Sequence, residues 1–185
     1  MKIQVYSLLL LLLASCSGTP DAGDQVQTSQ VGEVTIDKAE LLQHISDLEK
    51  SAMASSGFLD TTVANQLLNS YQEFYTHFNS DTLSAQMLFR GADIARGLGR
   101  YRKTIELLTN LHDGFPNYSR RDEVAFLIAF TWDANLKDTT RAVRGYNQVI
   151  DLYPESRWSE EARNNIRFLQ MTESELLEFL KKKNS

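Results

Sequence analysis

Apolar residues recur every three or four positions along most of the chain, the spacing of helices with one buried face. The first such segment opens at Asp37-Lys38-Ala39-Glu40, an acid at the cap with Glu three residues on, and continues with the stripe Leu41, Leu42, Ile45 and Leu48. After Ser55-Ser56-Gly57 a second stripe follows: Val63, Leu67, Tyr71, Phe74, Tyr75 and Phe78. The same periodicity predicts helices over about 82–97, 100–115, 121–136, 139–153, 157–170 and 173–183. That makes eight helices with short links. With 9 Gly and 3 Pro, the chain has too few turn-formers for an all-β sandwich.

One of these helices is written three times. Phe78, Phe115 and Tyr153 serve as markers, 37 and 38 residues apart. Four residues before them stand Phe74, Leu111 and Val149; seven before, Tyr71, Leu108 and Tyr146. Ten before stand Leu68, Ile105 and Val143, and eleven before, Leu67, Thr104 and Ala142. Asn79, Pro116 and Pro154 follow the markers, and proline stops a helix because it lacks the next N–H. Five columns and a stop in common register predict tandem units, which cannot bury their apolar faces singly and must stack.

The first sixteen residues are of another kind. Lys2, the apolar run Leu8 to Leu13 and then Ala14-Ser15-Cys16 describe a secretory signal peptide, and the run is too short to cross about 30 Å of hydrocarbon. Leu13-Ala14-Ser15-Cys16 resembles the lipobox of bacterial lipoproteins. The resemblance implies a signal peptide over 1–15, cleavage before Cys16 and fatty acylation there, of the palmitate kind, with enough acyl chains for permanent anchoring. Cys16 is thus expected to be an anchor and not a nucleophile. Ser17 in place of Asp implies an outer-membrane address, with the body periplasmic or surface-facing. Residues 16–36 are expected to form the lipidated end and a flexible linker, small and polar with Gly18, Pro20, Gly23 and Gly32. The helical domain then spans 37–185.

The repeats resemble the tetratricopeptide repeat, in the form found in envelope lipoproteins. The residues that carry this are Gly97-Leu98-Gly99-Arg100-Tyr101, Ile105-Glu106, Phe115-Pro116-Asn117, Ala142-Val143, Tyr146, Val149-Ile150 and Tyr153-Pro154-Glu155-Ser156. The resemblance implies an all-α solenoid of helical hairpins, a right-handed superhelix, with about three hairpins and a pair of capping helices at the C-terminus. Phe78, Phe115, Tyr153, Pro116 and Pro154 would define the packing of the repeats. Trp158 and Phe168 are expected to pack inward, and Leu176, Leu177 and Leu180 to form the stripe of the last helix.

Charge and chemistry narrow the function. Of the whole chain 19 residues are basic and 24 acidic, a balance unlike that of a nucleic-acid binder. The single Cys excludes an internal disulfide and a Cys-based zinc site. No nucleophile elbow, zinc-protease motif, phosphate loop or dinucleotide fingerprint occurs, so neither catalytic nor metal residues, nor a cofactor, are assigned. His44, His77 and His112 fall singly on separate helices. Arg90, Arg96, Arg100, Arg102 and Lys103 against Asp93 alone make a local +4. Arginine forks suit carboxylates, so Arg90 and Arg96 are expected to help hold an acidic segment of a partner. The expected function is a lipid-anchored envelope adaptor that binds a protein or peptide in its groove. Lipoproteins of outer-membrane β-barrel assembly and Tol–Pal coordinators are the similar cases. A ligand-binding lipoprotein serving a transporter is the alternative, which a closed apolar pocket would favour.

Overall fold

Short polar side chains begin most of the helices, because the first N–H groups of a helix have no carbonyl partner within it. Asp37 accepts from the N–H groups of Ala39 (2.7 Å) and Glu40 (3.0 Å), and Asp60 from those of Thr62 and Val63. Asp81, Asp138 and Ser156 do the same for Leu83, Arg141 and Trp158. At Thr172 the cap is reciprocal, its N–H donating to Glu175 Oε2 while the Glu175 N–H reaches Thr172 Oγ1.

The computed structural model describes residues 36–54 and 60–183. The chain divides into two units, Met1–Val34 and Thr35–Ser185. The signal segment, Cys16 and all of the linker but its last residue lie outside the described residues. Eight α-helices occur among those described: α1 (Lys38–Ala54), α2 (Thr61–His77), α3 (Thr82–Gly97), α4 (Tyr101–Gly114), α5 (Arg121–Phe130), α6 (Thr139–Leu152), α7 (Arg157–Gln170) and α8 (Glu173–Lys183). A π-turn, Thr131–Asn135, extends α5. Among the described residues there is no strand, and no helix is long and apolar enough to cross a membrane.

From α1 to α7 each helix packs on the next, and α5 also meets α7. Three apolar clusters follow one another along the chain. Leu41, Ile45 and Phe74 lie in the first, Leu88, Leu108 and Val124 in the second, and Ala129, Tyr146 and Ala162 in the third. No cluster belongs to a single hairpin. This is the all-α, tetratricopeptide-like solenoid, whose units are stable through their neighbours.

The three markers are structurally equivalent. Phe78, Phe115 and Tyr153 each cap their helix with φ of −129°, −127° and −134°, and each donates its N–H to the carbonyl four residues back. Each marker carbonyl then accepts the N–H three residues on, from Asp81, Tyr118 and Ser156. The side-chain joint between units also repeats. The residue three before a marker meets the next marker, Tyr75 against Phe115 with ring centroids 6.5 Å apart and His112 against Tyr153 at 6.3 Å. In the latter pair His112 Nε2 lies 2.9 Å from the Tyr153 hydroxyl. Six residues beyond Phe78 and Tyr153, Ser84 and Ser159 donate to the marker carbonyls at 2.7 and 2.6 Å.

Two departures from the expected pattern have local causes. The helix expected over 121–136 ends as α-helix at Phe130 and continues as the π-turn, where the Leu136 N–H reaches the Thr131 carbonyl five residues back (3.1 Å). That hydrogen-bonded ring holds one more residue than the ring of the α form. Helices α4 and α6 both begin fourteen residues before their markers, and the longer step from Phe115 to Tyr153, 38 residues against 37, goes with the link 116–120, which is two residues longer than 79–81, while α5 with its π-turn is one residue shorter than α3. Two residues before those starts stand Gly99 at φ 70° and Lys137 at φ 55°. The same left-handed turn thus holds glycine in one unit and a residue with a Cβ in the next. Lys137→Gly is expected to raise stability by about 0.5–1 kcal/mol, the strain relieved less the added entropy of the unfolded chain, read from the midpoint of urea unfolding.

The C-terminal end corrects the expectation of two capping helices. Helix α7 closes the stack with Ala162 fully buried and Trp158 4.8 Å from the Phe126 ring. Helix α8 does not fold back along α7 as a hairpin partner. Phe168, expected inside, is 38% exposed because its neighbour in α8 is the edge of Phe179, 5.3 Å away, and not a covering helix. The stripe Leu176, Leu177 and Leu180 faces outward.

Candidate interaction surface

Most of the basic residues between Arg90 and Lys103 have acidic partners within the chain. Arg90 Nη1 binds Glu49 Oε1, tying α3 to α1, and the Tyr71 hydroxyl donates to the same oxygen at 2.6 Å. Burial, then the hydrogen bond to Glu49, raises the pKa of Tyr71 above the usual tyrosine range. Glu49, Met53, Leu67, Tyr71 and Arg90 line a recess there, and Met53 is 84% exposed at its rim. Arg96 pairs with Asp93 at 3.2 Å, both side chains about half exposed, and Lys103 with Glu106 at 2.7 Å. The positive surplus therefore falls to Arg100 and Arg102, which have no acidic partner among the described residues. They line a shallow recess with Gly99, Tyr101, Lys103 and Leu136.

A second feature joins residues far apart in sequence. Thr82, Ala85 and Gln86 in the first turns of α3 face Gly114 to Ser119 at the end of α4 and in the turn after it, enclosing a cleft of ≈ 420 Å³. Ala85, Phe115, Pro116 and Tyr118 give it an apolar floor. The side chains of Gln86 and Asn117 have no hydrogen-bond partner among the described residues. Its wall is fixed by stacking: the Arg120 guanidinium sits 4.1 Å over the Phe89 ring while Glu123 holds it with two bonds, at 2.8 and 2.7 Å. The Tyr118 ring lies 6.4 Å from Phe89, and burial raises its hydroxyl pKa. An apolar floor with two amides, each both donor and acceptor, suits an extended peptide with one side chain inserted.

Of the repeat-defining residues, Phe115 and Pro116 line this cleft, whereas Pro154 is exposed and Phe78 packs against the first cluster. Gln86 and Tyr118 carried no signal in the sequence, since the cleft exists only once α3 meets the turn after α4. The structure does not bring His44, His77 and His112 together as a ligand set. Among the described residues no group of three His, Cys, Asp or Glu side chains could hold a metal.

The family model of the tetratricopeptide repeat matches residues 123–156, the span of α5 from its third residue, the π-turn, α6 and the third marker. The matched unit thus includes the helix end at Tyr153, whose backbone bonds recur at Phe78 and Phe115. A repeat of this family suggests a protein-interaction scaffold. No curated protein matches the chain.

Proposed function

We propose that this protein is a lipid-anchored adaptor of the cell envelope, attached through Cys16, that holds a segment of another envelope protein without catalysis. The cleft between α3 and the turn after α4 carries this reading, because it presents an apolar floor and free amides on a fixed wall. The anchor rests on the order of charge, apolar run, small residues and Cys at the N-terminus. A role in outer-membrane assembly agrees with the lipoproteins it resembles. Arg90 and Arg96 contribute as competitors: an acidic partner segment displaces Glu49 or Asp93 from them.

The test uses the full chain in the cells that make it, with a photoreactive residue at Gln86 or, as control, at the exposed Asn147 of α6. One discrete adduct is expected from Gln86 and none from Asn147. Adding Arg90→Ala and Arg96→Ala should weaken it several-fold, and Cys16→Ser should abolish both the adduct and incorporation of labelled palmitate. Equal adducts from both positions would refute the cleft. Unchanged palmitate incorporation in Cys16→Ser would refute the anchor.

A further inference from the structure

We infer that the protein segment held in the cleft runs on along α3 and carries two marks: a large uncharged side chain that enters the cleft, and an acidic residue about four or five positions from it that meets Arg96. This deepens the proposed function and rests on it, since without a segment in the cleft neither mark has a place.

Helix α3 shows solvent a single stripe. Thr82, Gln86, Arg90, Asp93 and Arg96 are exposed at steps of three and four residues, while Ala85, Leu88, Ala92 and Ala95 are buried behind them. Glu49 of α1, bound to Arg90, borders this stripe on one side. Phe89, under the Arg120 guanidinium and beside Tyr118, borders it on the other. A track thus leads from the cleft at the start of α3 to Arg96 near its end.

The two ends of the track differ in chemistry. No side chain lining the cleft is charged, so a charged residue entering it gives up water and finds no counter-ion, whereas an apolar one covers Ala85, Phe115 and Pro116. At the far end Arg96 engages Asp93 through Nη2 alone, at 3.2 Å, with both side chains about half exposed. An exposed pair of this kind contributes little, and the rest of the guanidinium is open to a second carboxylate. Arg100 and Arg102 lie just past the end of α3 with no acidic partner among the described residues, so the positive surplus is at this end. Of the two arginines on the stripe, Arg90 is the worse counterpart. The Glu49 oxygen that it binds also accepts from the part-buried Tyr71 hydroxyl, and drawing Glu49 away would leave that hydroxyl without its acceptor. Gln86 and Arg96 are ten residues apart on the helix, about 15 Å, and an extended chain covers about 3.3 Å per residue. That ratio sets the spacing of the two marks, whichever way the segment runs.

The full chain, purified in detergent from the cells that make it, is used to select from a displayed library of random peptides about a dozen residues long. Enriched peptides should carry a large apolar residue with Asp or Glu about four or five positions away. Replacing that acid by its amide should weaken binding about tenfold. Gln86 and Arg96 are both exposed, so substitutions there leave the fold intact. Selection on Arg96→Glu should return Lys or Arg at the same spacing with the apolar residue kept, and selection on Gln86→Lys should lose both marks. An apolar residue enriched through Gln86 with no acid at that spacing would overturn this inference and leave the cleft standing. Enrichment indifferent to Gln86→Lys, or no enrichment at all, would overturn both.

Discussion

Tyr146→Ala is expected to lower the stability of the helical body by about 3–5 kcal/mol, the range for losing a large buried aromatic, measured by the urea midpoint and by calorimetry. Tyr146 is fully buried in the third cluster, its ring 5.6 Å from that of Phe126. Its hydroxyl donates to Asp133 Oδ2 and accepts from Asn165 Nδ2, both at 3.0 Å, so one side chain joins the π-turn, α6 and α7. Burial, then the charge of Asp133, raises its pKa above the usual tyrosine range, so the neutral phenol is the form that holds this joint. Alanine leaves a cavity and two polar groups without their shared partner. Tyr146→Phe keeps the ring and removes the bridge, and is expected to cost about 1–2 kcal/mol. Against the 5–15 kcal/mol of an ordinary domain, the larger loss is a substantial fraction. Because a solenoid is stabilised unit by unit, hydrogen exchange should accelerate first in α5 to α7 while α2 and α3 keep their protection.

How much of this was legible in the sequence depended on whether the cause was local. The columns before Phe78, Phe115 and Tyr153 were visible because each records one helix face and one helix end, and the shared backbone bonds at the markers follow from them. The Thr172 cap was visible for the same reason. Contacts spanning units left no such trace. Nothing near Arg90 names Glu49, 41 residues earlier, as its partner, and nothing near Asp122 names Ser156. The basic run looked like a surplus because it was counted along the chain, whereas three of its five cations are neutralised in space. The π-turn left no mark of its own, because apolar periodicity reads straight through it. For α8 the stripe identified a helix without saying what would cover it, so outward leucines and inward leucines look alike until α8 is seen to stand apart from α7.

Gly145→Val is expected to destabilise the third unit by about 3 kcal/mol, although valine is a better helix residue than glycine, because α6 has no room there. A Cβ at Gly145 would fall 2.8 Å from Ala129 Cβ and 3.2 Å from Ala129 Cα, closer than carbon atoms approach without displacement. Glycine inside a helix ordinarily costs about 1 kcal/mol relative to alanine, so its presence in α6 is explained by this near-contact with α5. Leu107, which stands as far before Phe115 as Gly145 before Tyr153, has the opposite size and faces Gly91 instead. The two units thus place the small residue on different helices of the hairpin. Gly91 itself would meet only ordinary contacts at 3.5–3.8 Å, so Gly91→Ala serves as the control that keeps or gains stability through helix propensity. The decisive measurement is a double-mutant cycle. Gly145→Ala alone should cost about 1–2 kcal/mol, and Ala129→Gly added to it should recover most of that loss by moving the methyl group from α5 to α6, a coupling of about 1 kcal/mol or more. Independent, additive effects at 129 and 145 would show that the two helices are not held apart by these atoms, and the close approach would then not account for the glycine.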